Sequence, residues 1–434
     1  MPPSLVLPME NALLPLLCLS GAVLGFTLVS ARTQCWPVTG PMVALAAGLL
    51  LQALGGGATG DPGLLVWIDG LAELSLALVL FCDASRIVPS RLRAGAGLPV
   101  RLLGIGMPLT IAAGATLAWL VEPTLGWAGC LLVGIALAPT DAALGQAVMT
   151  QPAVPARVRQ ALNVESGLND GLAFPALIVV AGLAGSVDTA SSTGGLTLAI
   201  GGQVVLGPLA GLAVGWSAAW LMARAQAADA VAAGVGRASV IPVAFAAFTV
   251  AELVGGNGFL SAFVAGSVAG ARSKEIKASA RKFGEAEGHL LILAVFFLLG
   301  AVLTPSFVDA THWSGIWGMP LVYGLLSLTV VRMLPVAVAL WGTGLRPSSV
   351  LFIGWFGPRG TASVIYLLLA GTTYGLPQAE AIAPYVLATV LLSVLLHGVS
   401  AAPLSRRFGR QLRADPVNTE PPGPGPSLRE GPGV

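Results

Sequence analysis

The sequence has few charged, histidine or cysteine residues, and each shortage argues against a class of protein. Only 10% of the 434 residues are Asp, Glu, Lys or Arg, whereas soluble domains usually contain about 25%. The formal net charge is +2, so nothing suggests the basic surface that binds nucleic acid. The three histidines and four scattered cysteines include no CxxC pair, which argues against a metal centre or a disulfide framework. We therefore expect no cofactor and no nucleic-acid partner.

Hydrophobic residues make up 55% of the chain, and glycine and proline are frequent, with 56 and 31 residues. Both are commoner in transmembrane helices than in soluble ones, so the composition predicts an all-α polytopic membrane protein. The division at Val254 to Gly258 rests only on the sequence VGGNG. About thirteen segments fit the roughly 20 mainly apolar residues of a spanning helix: 11–30, 38–54, 64–84, 97–120, 126–149, 158–184, 195–222, 239–254, 256–271, 287–304, 317–342, 349–371 and 381–402.

The basic residues predict the orientation of the chain. Lys and Arg in short loops favour the cytoplasmic side. All of them except Arg332 and Arg359 lie in segments that follow odd-numbered spans. We therefore expect an outside N-terminus and a cytoplasmic C-terminus. Residues 1–413 form the expected transmembrane domain, and the Pro/Gly-rich residues 414–434 form a disordered cytoplasmic tail.

Several ionisable residues lie inside the predicted spans, and we single out Asp141, Glu165, Asp170, Arg332 and Arg359. A charged side chain at mid-bilayer costs roughly 2.5–3.5 kcal/mol on insertion scales. These side chains must therefore face the protein interior, pair with one another or line water. Residues of this kind usually mark ion or proton pathways.

The sequence ESGLND, Glu165 to Asp170, places two carboxylates and two polar neighbours on one helix. Residues four apart share a helix face, so Asn169 lies with Glu165, and Ser166 lies with Asp170. We expect the first face to form a buried ion pair between Glu165 and Arg332. We expect the second face to supply oxygen ligands from Asp170 and Ser166, which hard cations such as Na⁺ prefer.

Proline interrupts two of the predicted spans. Pro139 precedes Thr140 and Asp141 in the fifth span, and Pro358 precedes Arg359 in the twelfth. Proline removes a backbone donor and frees a carbonyl, which can then ligate a cation. Broken helices in corresponding halves of a chain point to a transporter site. The pattern favours inverted repeats with crossed broken helices, although an ordinary proline kink explains either break alone.

In these motifs the sequence resembles the NhaP-like monovalent cation/proton antiporters of bacteria and archaea, a branch that includes the animal sodium/proton exchangers. The resemblance covers about residues 11–404. APTDAA and ESGLNDG are similar to the Thr-Asp and Glu-Ser-x-x-Asn-Asp motifs of the family. GFLSAFVAGSVAG, FFLLGAVL, VVRMLP and GPRGTAS are similar to its later signatures, in the same order. Ala142 departs from the family pattern, because relatives often have proline there.

The resemblance implies roles for individual residues. Asp170 corresponds to the aspartate that binds the cation and the proton in turn. Asn169 corresponds to its partner in an Asn-Asp pair, which is associated with electroneutral one-for-one exchange. Thr140, through its main-chain carbonyl, Asp141 and Ser166 correspond to further residues of the cation site. Glu165 and Arg332 again correspond to a structural ion pair.

Two acidic residues in the third predicted span stay open. CDAS stands where relatives have a Glu-containing pattern, so Asp83 is either a further cation ligand or a helix-end residue. Glu73 lies deeper in the span than Asp83. Its side chain either reaches a cavity or a neighbouring subunit, or has no role at the site.

The resemblance also implies a homodimer with two structural parts, in a bacterial inner membrane. The moving core comprises residues 97–184 and 317–402. The dimerisation scaffold comprises residues 11–84 and 195–304.

We therefore expect a secondary transporter, which is not an enzyme, that exchanges Na⁺, or Li⁺ or K⁺, for H⁺. A cation channel or channel-like ion sensor is the alternative, because broken spans and inward-facing acids also suit a pore. A membrane enzyme is the third hypothesis. The histidines argue against it, because His289, His312 and His397 are expected at or near the membrane faces without a catalytic constellation.

Overall fold

The computed structural model describes residues 9–33, 38–54, 62–86, 97–149, 151, 153–184, 193–231, 239–303 and 318–413, over which the chain is helical and forms no strand. The predicted tail, His312 and the side chain of His289 lie outside the described part. The helices are α1 (Met9–Thr33), α2 (Gly40–Ala53), α3 (Pro62–Ser85), α4 (Gly97–Val121), α5 (Gly126–Ala136), α6 (Ala142–Met149), α7 (Ala156–Leu183), α8 (Thr193–Ala227), α9 (Val240–Leu253), α10 (Gly258–Arg272), α11 (Lys274–Leu298), α12 (Met319–Ala339), α13 (Pro347–Trp355), α14 (Thr361–Gly371) and α15 (Gln378–Arg413).

The helices carry the apolar surface of a membrane protein. Large apolar side chains project outward, and Trp341 and Leu253 are 81% and 80% exposed. Soluble monomers rarely present large continuous apolar patches. Within the described residues, five helices are long and apolar enough to cross a bilayer, namely α4, α7, Gly201–Ala227 of α8, α12 and Gln378–Gln411 of α15. The chain is thus an all-α, multi-pass membrane protein, and the number of its spans stays a prediction.

Both predicted helix breaks are present. The helix that begins at Gly126 stops at Ala136 and resumes at Ala142, and the second break separates Trp355 from Thr361. Proline cannot donate a backbone hydrogen bond, and each break contains one. The division predicted at VGGNG is also confirmed, because α9 ends at Leu253 and α10 begins at Gly258.

Two helices are longer than their predicted apolar spans. Helix α11 begins at Lys274, where Ser273 Oγ accepts a hydrogen bond from the N–H of Ile276 at 3.2 Å. Helix α15 continues to Arg413. Hydropathy locates the part of a helix that lipid favours, whereas helix ends depend on capping and on backbone hydrogen bonds. The additional turns extend beyond the predicted apolar spans, and the bounds of the spans themselves stay a prediction.

The helices pack in two groups. The first group consists of α3, α8, α9, α10 and α11. In the second group, α4 packs on α5, and α15 packs on α5, α6, α12 and α14. Helix α7 contacts members of both groups, including α3 and α10 on one side and α5, α6 and α14 on the other. The helix that carries Glu165 to Asp170 thus lies between the two groups.

Glycine allows the first group to pack closely. Gly266 and Gly270 of α10 lie against the backbone of Phe81 and Ser85 in α3, and Gly211 of α8 lies against Ser261. A Cβ atom at any of these glycines would overlap the neighbouring backbone. Small residues at such contacts let membrane helices approach closely, which makes α3, α10 and α8 a tight stack.

Candidate functional site

The two unwound segments, Leu137–Asp141 and Phe356–Gly360, meet and bind each other; we call this contact the crossing. The N–H of Asp141 donates to the carbonyl oxygen of Pro358 at 2.7 Å. In the opposite direction, Arg359 Nη1 donates to the carbonyl oxygens of Ala138 and, at 2.9 Å, Pro139. The non-helical backbone groups of one segment are thus satisfied by the other, as a membrane interior requires.

Asp141 caps two half-helices at once. Its Oδ1 accepts from the N–H of Leu144 at 3.1 Å, at the start of α6. Its Oδ2 accepts from the N–H and the hydroxyl of Thr361 at 2.8 and 3.0 Å, at the start of α14. Helix N-termini carry partial positive charge, so the buried carboxylate lies where two such ends converge. This contact was not foreseen, and the role of Asp141 as a cation ligand stays a prediction.

Arg359 occupies the complementary position. Its fully buried side chain donates to carbonyl oxygens just beyond the C-terminal end of α5. Helix C-termini carry partial negative charge, which a cation stabilises. Asp141 and Arg359 therefore face helix ends of opposite polarity within one crossing.

Thr140 links the crossing to α7. Asn169 Nδ2 donates to Thr140 Oγ1 at 2.6 Å, and the hydroxyls of Thr140 and Ser166 are hydrogen-bonded at 2.9 Å. All three side chains are buried. The assignment of Asn169 to the face of Glu165 was therefore incomplete, because residues three apart on a helix are also neighbours. Asn169 joins Ser166 through Thr140.

Glu165 lies against its predicted partner. Glu165 Oε1 is 2.6 Å from Arg332 Nη1, and the two side chains are 3% and 2% exposed. A π-helical turn, Ser327–Val331, directly precedes Arg332 in α12, and the guanidinium lies against Gly357 of the crossing. The pair therefore joins α7 to α12 and to the second unwound segment.

Asp170 follows this polar cluster on α7. Its backbone carbonyl accepts a hydrogen bond from the Tyr366 hydroxyl. Its side chain is partly buried and lies within electrostatic range of Asp141 and Asp83. Among the described residues, Asp170 Oδ1 and Asn169 Oδ1 are buried and accept no hydrogen bond. Two buried oxygens with available lone pairs are the donor type that alkali cations bind.

Asp83 lies beside α7, near the end of α3. A Cβ atom built on Gly167 would be 3.7 Å from Asp83 Cβ. Asp83 therefore packs against α7 at the residue that follows Ser166. Asp83 Oδ1 is also 4.0 Å from Arg86 Nε, and these side chains are 24% and 33% exposed. Both side chains are partly buried, and 4.0 Å is a long distance for an ion pair. Its role as a cation ligand stays a prediction.

Four rings form an aromatic layer on the C-terminal side of Asp170. Phe174, one turn further along α7, is 5.0 Å from Phe259 and 5.8 Å from Tyr366 between ring centroids. Phe259 is in turn 5.2 Å from Phe248. The layer, Phe174, Phe248, Phe259 and Tyr366, links α14 and α7 to α10 and α9. Sequence reasoning missed it, because aromatic residues in apolar spans give no distinguishing pattern.

Two further acidic residues, Glu73 and Glu252, have local contacts. Glu73 Oε1 accepts from the Thr373 hydroxyl at 3.5 Å, and Glu252 Oε1 accepts from the N–H of Gly258 at 2.8 Å, at the start of α10. His397, expected near a membrane face, is 1% exposed and bonded to the carbonyl oxygen of Trp355. Helix α15 thus packs its face around His397 against the second broken helix, and the position of His397 relative to the membrane faces stays a prediction.

The sequence and the fold are similar to those of known transporters. Residues 19–407 match the family described as sodium/hydrogen exchanger, transmembrane. The chain is 27% identical over 382 residues to the K(+)/H(+) antiporter NhaP2 of Shewanella sp. strain MR-4, covering 87% of this chain and 64% of that protein. It is 27% identical over 360 residues to the Na(+)/H(+) antiporter NhaP of Pseudomonas aeruginosa, covering 77% of this chain and 80% of that protein.

A solved structure has the same fold. The sodium proton antiporter MjNhaP1 from Methanocaldococcus jannaschii superposes with a TM-score of 0.73 at 17% identity, covering 94% of this chain and 99% of that one. The family match covers most of the sequence, including every residue of the crossing. The chain therefore belongs to the transmembrane sodium/hydrogen exchanger family.

Proposed function

We propose that this protein exchanges a monovalent cation for H⁺ across the membrane and that both bind at Asp170. The observation that carries the proposal is the pair of buried, unpartnered oxygens on Asp170 and Asn169, beside the hydroxyls of Ser166 and Thr140. Oxygen is the ligand that hard cations prefer. The family membership and the antiporter names of the relatives support the same function.

Competition between the two ions follows from burial and charge. A buried carboxylate without a counter-ion is costly, and the carboxylates of Asp83 and Asp141 add repulsion to that of Asp170. Either a proton or a cation at Asp170 relieves this cost. If the core crosses the membrane barrier only when Asp170 is occupied, exchange proceeds by alternating access. The Asn169–Asp170 pair supports a stoichiometry of one cation per proton.

The proposed cation is Na⁺, with Li⁺ and K⁺ as further substrates. The relatives divide on this point, since the Shewanella proteins are named K(+)/H(+) antiporters and the Pseudomonas protein is named a Na(+)/H(+) antiporter. The chain spans 64% of the length of the Shewanella relative, so a substrate is not carried over from its name.

We also place the protein as a homodimer in a bacterial inner membrane, with its C-terminus in the cytoplasm. The basic loops support this orientation. The two packing groups support a moving core, α4–α7 with α12–α15, and a scaffold of α1–α3 with α8–α11.

Proteoliposomes with an internal pH-sensitive dye test the function. Adding Na⁺, Li⁺ or K⁺ outside vesicles with an acidic lumen should raise the internal pH in the wild type. Asp170→Asn should reduce this signal to that of protein-free vesicles, because an amide neither carries the proton nor neutralises the cation. Exchange by a well-folded Asp170→Asn protein at the wild-type rate contradicts the mechanism.

Asp229→Asn is the matched control, because it makes the same change at an exposed position. Asp229 has a positive φ of 48°, which asparagine tolerates well, so this variant should exchange like the wild type. Cation flux without proton counter-flow would instead favour the channel alternative, which none of the relatives named above supports.

A further inference from the structure

We propose that Ser393 and His397 of α15 are positioning residues that hold the second unwound segment in the geometry that cation binding needs. The proposal rests on the exchange function proposed above. Neither residue belongs to a motif that the sequence analysis singled out for the site.

Ser393 binds the segment at its charged residue. The backbone N–H of Arg359 donates to Ser393 Oγ at 2.6 Å, and both residues are fully buried. Arg359 precedes α14, so this N–H has no helical carbonyl to bind. A buried N–H without a partner is rare and destabilising. The Ser393 hydroxyl therefore fixes the backbone at the residue whose side chain reaches the first unwound segment.

His397 binds the other side of the same break. Its Nε2 is 2.8 Å from the carbonyl oxygen of Trp355, the last residue of α13. Only a protonated Nε2 can donate to that carbonyl. His397 Nδ1 lies 3.0 Å from the backbone carbonyl oxygen of Ser393 and 3.3 Å from Ser393 Oγ. Ser393 thus binds the N–H of Arg359, and His397 contacts both Ser393 and the carbonyl oxygen of Trp355.

The ring of Trp355 adds a second attachment to α15. It stacks on His397 with centroids 5.1 Å apart, and its Nε1 donates to Ser400 Oγ at 2.9 Å. Helix α15 is continuous from Gln378 to Arg413. One unbroken helix thus binds both the carbonyl oxygen of Trp355, which precedes the unwound segment, and the N–H of Arg359 within that segment.

The geometry links this support to the cation site. Arg359 Nη1 donates to the carbonyl oxygen of Pro139, which is adjacent to Thr140, and Thr140 binds Ser166 and Asn169. A shift of the Arg359 backbone therefore moves the groups that surround Asp170. Loss of the Ser393 hydroxyl should weaken cation binding without removing a ligand.

The test is the apparent KM for the cation in the proteoliposome assay. Ser393→Ala should raise it about fivefold, the effect of losing one buried hydrogen bond, and Ser393→Thr, which keeps the hydroxyl, should restore it to near the wild-type value. A role in folding alone would lower the amount of active protein, and hence the maximal rate, at an unchanged KM. An unchanged KM in Ser393→Ala overturns the proposal.

Ser405→Ala is the matched control, because it removes a buried hydroxyl from the same helix, away from the break. Its KM should equal that of the wild type. His397→Gln provides a second route if Ser393→Ala does not fold. It too should raise KM, because a single amide group cannot reproduce the contacts that the two imidazole nitrogens make with Ser393 and Trp355. An unchanged KM there also overturns the proposal. Absence of exchange in the wild type would refute the proposed function instead, which keeps the two failures distinct.

Discussion

Single charged residues at the site differ in what balances them. Glu165 and Arg332 balance each other directly at 2.6 Å, whereas Asp141 and Arg359 are balanced by backbone groups of the crossing. Among the described residues, the buried Oδ1 of Asp170 has neither a charged partner nor a hydrogen-bond donor. Under the proposed function, an ion that binds this oxygen of Asp170 would displace no protein partner.

Removing one member of the buried pair should destabilise the protein. Glu165→Gln leaves the Arg332 guanidinium buried without its counter-charge, which typically costs about 3–5 kcal/mol. We expect a clearly lower melting temperature for the purified protein in detergent. The double variant Glu165→Leu with Arg332→Met should recover part of the loss, because well-packed apolar residues often replace a buried pair. A Glu165→Gln protein as stable as the wild type would contradict this.

The sequence predicted single residues unevenly. Glu165 and Arg332 were matched because few charged residues lay inside spans, so the candidates were limited. The contact between Asp141 and Thr361 joins residues 220 positions apart. Helix periodicity carries no information on such distances. The same limit hid His397, whose partner Trp355 belongs to another helix.

At the scale of secondary structure, the crossing depends on glycine at close range. A Cβ atom at Gly360 would overlap the carboxylate of Asp141. Overpacking of this kind costs about 1–3 kcal/mol. Gly360→Ala should therefore displace Asp141 from the start of α14 and reduce the exchange rate by roughly fivefold or more.

Proteoliposome exchange measures this effect, with Gly104→Ala as its control. Gly104 is exposed in the π-helical turn of α4, and a Cβ atom there meets nothing within 4 Å. The control should retain wild-type exchange. Equal rates for Gly360→Ala and the wild type would show that the close contact with Asp141 is not needed.

The breaks were predictable because proline and glycine act locally. Pro139 and Pro358 each interrupt a helix within a few residues of their own position.

The cap that Arg101 provides at the end of α12 was not predictable. Its Nε and Nη2 donate to the carbonyl oxygens of Ala339 and Trp341 at 2.7 and 2.8 Å. Its sequence position, after the third predicted span, marked Arg101 only as one of the basic residues that predict the orientation of the chain.

For the whole molecule, the aromatic layer joins the two packing groups beyond Asp170. Phe259→Ala removes the ring that contacts both Phe174 and Phe248. We expect this variant to dissipate a pH gradient faster than the wild type in the absence of exchangeable cations, because water gains access to Asp170 from the layer's side. The decay of internal dye fluorescence measures the leak.

Phe283→Ala serves as the control for this experiment. Phe283 is also buried, but it belongs to the apolar cluster formed by α3, α9, α10 and α11. Its truncation should lower stability without raising the leak. A Phe259→Ala leak no faster than that of Phe283→Ala would show that the aromatic layer is not a barrier.

Helix α7 presents a smooth face to the scaffold. Gly167 lies beside Asp83 of α3, and Gly171, one turn later, lies beside Phe263 of α10. Interdigitated side chains resist translation of one helix along another, since each step must lift a ridge out of a groove. The two glycines, one turn apart, therefore lower the steric resistance along this strip of α7, while the ring contact between Phe174 and Phe259 joins the next turn of α7 to α10. Under the proposed alternating access, an alanine at either glycine would add bulk to this strip and slow the movement of α7 past α3 and α10.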